Sequence, residues 1–196
     1  LLRTIDTAIQ TVGTLDSRIP DESRTQSGTY ERWAPKDAVS HLATWLARDI
    51  ARLETREFPL PSRDSHELEI ANREIFLASA ERTWAESIDA LRAALSHARL
   101  LVAELSDAEL ERPARYADGS ARPVWRIVAG HVAMHFAHHI AIVYRRLGDS
   151  YGATAVEEKT AANVILLDDS PEWRASIKYN LGCHYAAIGR LEDAVA

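Results

Sequence analysis

The stretch Pro123-Val-Trp-Arg-Ile-Val-Ala-Gly130-His131-Val-Ala-Met-His135-Phe-Ala-His138-His139-Ile-Ala-Ile-Val-Tyr-Arg-Arg-Leu-Gly148 decides how this chain is read. Proline suits a first helical turn and glycine a helix end, so the segment is bounded as one long helix. Its apolar residues Val124, Ile127, Val128, Val132, Phe136, Ile140 and Val143 recur at helical spacing, which predicts a single buried stripe. Four of the chain's eight histidines fall within it. At about 100° of rotation per residue, all four lie within an arc of roughly 100°. Projection puts His135 and His139 near the middle of the apolar arc and His131 and His138 at its edge. Arg126 and Arg145, with Ala137 and Ala141, mark the opposite face as the wet one.

Working outward, the preceding sequence is also helical. Leu2, Ile5, Ile9, Val12 and Leu15 predict a helix over 2–19, closed by Pro20 and a polar stretch to Gly28. Ala34-Pro35-Lys36-Asp37 announces a second helix with the face Val39, Leu42, Leu46, Ile50 and Leu53, stopping before Pro59 and Pro61. A third helical stretch covers 67–80. A capping box at Thr83-Trp-Ala-Glu86 starts a fresh helix over 84–105, and a second box at Ser106 to Glu109 starts a short turn. The segment from there to Arg122 is expected to be loop. These elements fit an all-α fold, a four-helix bundle over residues 1–150. Beyond Gly148, a helix over 153–167 precedes Leu181, Gly182, Tyr185, Gly189 and Ala194, which fall at the spacing of a tetratricopeptide-like repeat. Residues 151–196 are therefore expected to form a helical-repeat extension, truncated inside its second helix. One repeat cannot bury its own face, so its partner is expected to be the bundle, another chain or residues missing from this sequence.

Composition narrows the function. A net charge of −6 gives no basic footprint for nucleic acid. No apolar run comes near the roughly 20 residues of a membrane span, and no signal peptide is visible, although the sequence begins at Leu1 without methionine. Cys183 is the only cysteine, which fits the cytoplasm and excludes any multi-cysteine zinc site. It reads as a small packing residue. A metal would need histidine or carboxylate ligands.

Two histidines at i and i+4, such as His135 and His139, stand one turn apart on one face. They either chelate an ion, with a third ligand from another helix, or form a hydrogen-bonded core pair. His41, on the shoulder of the second helix's apolar face, is a third-ligand candidate or a boundary residue. Trp33, Trp45, Trp125 and Phe136 either line a pocket for a flat ligand or belong to the core. Asp49 either orients a ligand histidine or pairs with Arg48 or Arg52.

The pattern Trp33-x-x-x-Asp-x-x-x-His41-Leu-x-x-Trp45, joined to His131-x-x-x-His135-x-x-His138-His139, resembles the DinB superfamily of four-helix bundles. Ala71-Asn72-Arg-Glu-Ile-Phe76, the segment from Leu105 to Leu110 and Pro123-Val-Trp125 are similar to its ClbS/DfsB-like branch, in which a glutamate typically stands where this chain has His138. The resemblance implies a divalent transition metal, zinc or nickel, held by His41, His135 and His139. It implies hydrolysis or thiol transfer on a small reactive molecule, in detoxification or stress resistance. His131 and His138 would then serve acid–base chemistry, and Trp45, Asp49 and Phe136 would line the pocket. A non-catalytic small-molecule binder, or an interaction module using residues 151–196, is the alternative. No nucleic acid and no membrane partner is expected.

Overall fold

The computed structural model describes residues 1–57, 59–60 and 64–195; Pro61 lies outside them. Helix α1 (Leu2–Arg18) buries Ile5, Ala8, Val12 and Leu15, the stripe its spacing dictates. After the short α2 (Asp21–Arg24), α3 (Pro35–Thr55) begins where Pro35 presets the backbone and the Asp37 carboxylate accepts the Ala34 N–H at 2.8 Å. Gly28 packs so tightly on Asp37 and the Ala34 nitrogen that no Cβ fits there. Arg56, at φ 55°, turns the chain out of α3.

Strand β1 (Pro59–Leu60) leads to α4 (Ser65–Ala78), capped by the Asp64 side chain. Helix α5 (Trp84–Glu104) and the short α6 (Asp107–Glu111) both open on the expected capping boxes, from Thr83 and Ser106. The segment expected to be loop instead holds β2 (Pro113–Tyr116) and β3 (Ala121–Pro123). β2 pairs antiparallel with β3 and parallel with β1, with Pro59 opposite Arg115. Strands of two to four residues flanked by proline carry no alternating pattern, so their pairing is set by the bundle end that they close.

The last long helix is interrupted. α7 (Val124–Ala129) passes into a π-helical turn, Gly130–His135, and then into α8 (Phe136–Arg146). In the bundle, α1 and α3 each pack on α5 and on the histidine helix, so the first and second long helices face each other across a diagonal. By length and composition Val124–Arg146 would suffice to cross a membrane. Here 61% of its most apolar window is buried by neighbouring helices, and the rest carries a row of histidines. It is the core helix of the bundle.

Helix α9 (Ser150–Val164), a 3-10 turn (Ile165–Leu167), α10 (Pro171–Ala187) and α11 (Leu191–Ala194) complete the chain. α9 lies along α8 and corrects one expectation: Ala137 and Ala141, placed on the wet face, are fully buried. Two alanines one turn apart make a flat surface that a second helix can approach closely. Ala153, Val164, Trp173 and Ile177 join the bundle's own hydrophobic core. Gly189, at φ 80°, makes the turn after α10, and Gly182 lets the Ala194 carbonyl come close.

Candidate metal centre

Helix α3 presents His41, Trp45 and Asp49 one turn apart, and the histidine helix presents His131, His135 and His139 likewise. The two rows face each other in opposite directions, His41 against His135 and His139 and Asp49 against His131. The Nε2 atoms of His41 and His135 are 3.0 Å apart, and those of His135 and His139 are 3.1 Å apart. All three donor atoms lie within 4.8 Å of one another, the one such cluster of metal-binding groups among the described residues.

This donor set fits a divalent ion. A tetrahedral zinc with Zn–N bonds of about 2.0–2.1 Å separates ligand nitrogens by about 3.3 Å, close to the His41–His135 and His135–His139 separations. The rings are held neutral. Burial, then the charge of the neighbouring His135, pushes His41 down to about 3. Burial, then His139, pushes His135 down to about 2, and burial, then His41, pushes His139 down to about 3. Neutral imidazoles keep the lone pairs that an ion needs. A proton shared between neighbouring rings is the other way to satisfy such close nitrogens; in either case the buried His41 Nδ1 has no hydrogen-bond partner among the described residues.

The π turn sets this arrangement. An ordinary helix advances about 3.6 residues per turn, and one π turn takes up an extra residue and shifts the phase of everything beyond it. His131 stands inside that turn and His139 beyond it. His131 therefore reaches α3 instead of sitting at a solvated edge, and its Nδ1 is hydrogen-bonded to Asp49 Oδ2. Asp49 Oδ1 accepts from Arg52 Nη1 at 2.7 Å, the pairing the sequence offered, while the histidine it holds is His131 and not one of the three clustered ones. Asp49 is buried, and the His131 side chain retains 33% of its exposure, so the imidazole has one fixed nitrogen and one wet edge.

Aromatic rings enclose the cluster. Trp33 stacks on His139 with centroids 5.6 Å apart and packs on His41 at 4.7 Å. Trp45 lies against His41 and His131, and its Nε1 donates to Asn72 Oδ1 of α4 at 3.1 Å. Phe76, one turn on from Asn72, stacks on Trp33. Tyr30 and Phe76 were missed as wall residues. The only sequence signal for Phe76 is its place in the 71–76 motif, a family mark and not a contact, and Tyr30, packed on Trp33 and Phe76, has none.

Three expected site residues go elsewhere. Phe136 is buried on the α1 side, beside Thr4, Ala8 and Val132, because its neighbour His135 takes the α3 side. Trp125 packs edge-on against Trp173 at 5.3 Å. His138 is exposed and lines a separate pocket between α8, α9 and α10, which the buried Ala137 and Ala141 face explains.

The DinB superfamily model matches residues 5–143. Among solved structures, YfiT from Bacillus subtilis, described as a probable metal-dependent hydrolase with an unusual four-helix bundle topology, has a similar fold. The likeness has a TM-score of 0.58 at 19% identity, over 75% of this chain and 85% of that one. No curated protein matches the sequence. With most of the chain under the family model, and a helical bundle that brings second-helix and last-helix histidines together, the chain belongs to the DinB superfamily.

Proposed function

We propose that this chain is a metal-dependent enzyme acting on a small reactive molecule, by hydrolysis or thiol transfer, in a cytoplasmic detoxification or resistance role like that of the ClbS/DfsB-like branch. The observation that carries the reading is the convergence of the His41, His135 and His139 Nε2 atoms from two helices. These three would hold a divalent transition metal, zinc or nickel. A bound ion of this kind acidifies a coordinated water or thiol and polarises an electrophile. The description of YfiT as a probable metal-dependent hydrolase supports the same class.

The protein's own part is proton handling and enclosure. Asp49, held by Arg52, fixes the orientation of the His131 ring through Nδ1, leaving the other ring nitrogen to take and return a proton. Trp33, Trp45 and Phe76 present apolar faces that keep bulk water from the cluster. Residues 151–196 are read as a helical extension that also engages a protein. Five of the eight large hydrophobic side chains most exposed among the described residues belong to it: Tyr151, Leu166, Tyr179, Leu191 and Val195.

Elemental analysis of the purified protein tests the metal reading. Close to one equivalent of a transition metal is expected, lost in His135→Ala and weakened at least tenfold in His41→Ala. A protein that binds no added zinc or nickel at micromolar concentration, while folded, refutes it.

A further inference from the structure

The pocket between α8, α9 and α10 has a volume of about 390 Å³ and lies largely outside the stretch matched by the family model. Its walls are mostly apolar, with Met134, Ala161, Val164, Ile177 and Leu181. Into this lining α9 sets Glu157, whose residue exposure is only 9%. No hydrogen bond or ion pair reaches its carboxylate among the described residues. The other buried acids, Asp37 and Asp49, are engaged by the Ala34 N–H and by Arg52 and His131. The residue is buried but its oxygens are not sealed off, so the pocket is where the carboxylate can meet a partner.

We propose that this pocket binds a small organic ammonium ion, a primary amine on an apolar body, with Glu157 as its counter-charge. The volume suits a compact ligand, since small-molecule sites run from about 300 Å³ upward. The apolar wall takes the body of the ligand, and Thr160 and Asn180 add polar side chains to the same lining. Burial raises the Glu157 carboxyl to about 7 with Arg145 opposing, the mark of an acid that lacks a close cation. His138 and Cys183 stand in the same wall, and Cys183 is exposed, not the packing residue its sequence context suggested. His135 contributes to this wall as well as to the histidine cluster, so the site borders the candidate metal centre without depending on it.

Met134 is the only methionine in the sequence and lines the pocket, so its methyl carbon is a built-in reporter. Protein labelled with methyl-¹³C methionine is titrated at pH 8 with phenethylamine, and separately with the neutral 2-phenylethanol. The Met134 signal should move saturably with the amine, at a concentration at least tenfold below that needed for the alcohol. Glu157→Gln should abolish this preference, and Glu111→Gln, an exposed acid elsewhere, should retain it. Equal response to amine and alcohol, no saturable shift, or a preference that survives Glu157→Gln overturns the proposal. Amine binding lost in His41→Ala but kept in Glu157→Gln would assign the amine to the metal centre and overturn it equally. If Glu157→Gln fails to fold, Asn180→Leu, which narrows the pocket and removes a polar contact, must weaken the amine at least threefold.

Discussion

Acidification from pH 7 to pH 5 should destabilise the metal-free protein through the histidine cluster, and the loss can be worked from the structure. His41, His135 and His139 are held at about 3, 2 and 3 against an ordinary 6.5. The unfolded chain therefore binds protons more tightly than the folded one. The stabilisation is complete above about 6.5 and drains as pH falls toward the folded values. Over this window an unfolded imidazole takes up about three-quarters of a proton and a folded one almost none, which removes about 2 kcal/mol per histidine. Three histidines sum to about 6 kcal/mol, and water at the half-buried His135 and His139 screens this to about 4–6 kcal/mol. Glu157 works in the opposite direction. Its folded value, raised to about 7, lies above the unfolded one, so its burial is penalised at neutral pH and relieved by acid, returning about 2 kcal/mol by pH 5. The wild type should thus lose about 2–4 kcal/mol and Glu157→Gln about 4–6 kcal/mol, a large part of the 5–15 kcal/mol typical of a domain. Urea unfolding in EDTA at the two pH values, with slopes held equal, measures both. In His135→Gln the acid loss should shrink by about 2 kcal/mol. Parallel losses in wild type and His135→Gln would refute the assignment of the acid sensitivity to this cluster.

The same neutrality predicts that added zinc, once bound, is retained at pH 5 for as long as the fold survives, whereas an exposed polyhistidine tag releases it; equilibrium dialysis across pH makes the comparison. Asp49→Asn should leave metal content within twofold of wild type while lowering kcat on an accepted substrate by at least tenfold, because it frees the His131 ring rather than removing a ligand. Gly28→Ala should cost about 1–3 kcal/mol in chemical denaturation, since the added methyl meets Asp37 and the Ala34 nitrogen at the cap that starts α3. Gly189→Ala, at a backbone conformation of φ 80°, should cost about 1 kcal/mol and loosen α11 alone, seen as faster amide exchange confined to residues near 190–194.

What the sequence made legible and what it hid have one physical boundary, the range over which chain geometry is regular. Helix limits followed from local chemistry, because Pro35 with Asp37, Thr83 with Glu86 and Ser106 with Glu109 act within one turn. The pairing of His135 with His139 was readable for the same reason, four residues on one helix. His41 was not readable from spacing: it lay at the shoulder of its own face, and only the family pattern attached it to the pair. Its place follows from the direction in which α3 crosses the last helix, which no single-helix projection contains. The phase of that last helix was lost at Gly130–His135, where an i→i+5 turn invalidates a projection at about 100° per residue. His131 and His138, equivalent edge residues on paper, separate for this reason. One is carried to Asp49 and the cluster, the other to a wall formed by α9 and α10. The covering of Ala137 and Ala141 by α9 was equally invisible, since a face of small residues reads the same whether water or another helix lies against it. A π turn in a helix that carries ligands costs regular hydrogen bonding, and here it lies between His131 and His139, on the stretch that faces His41 and Asp49 of α3.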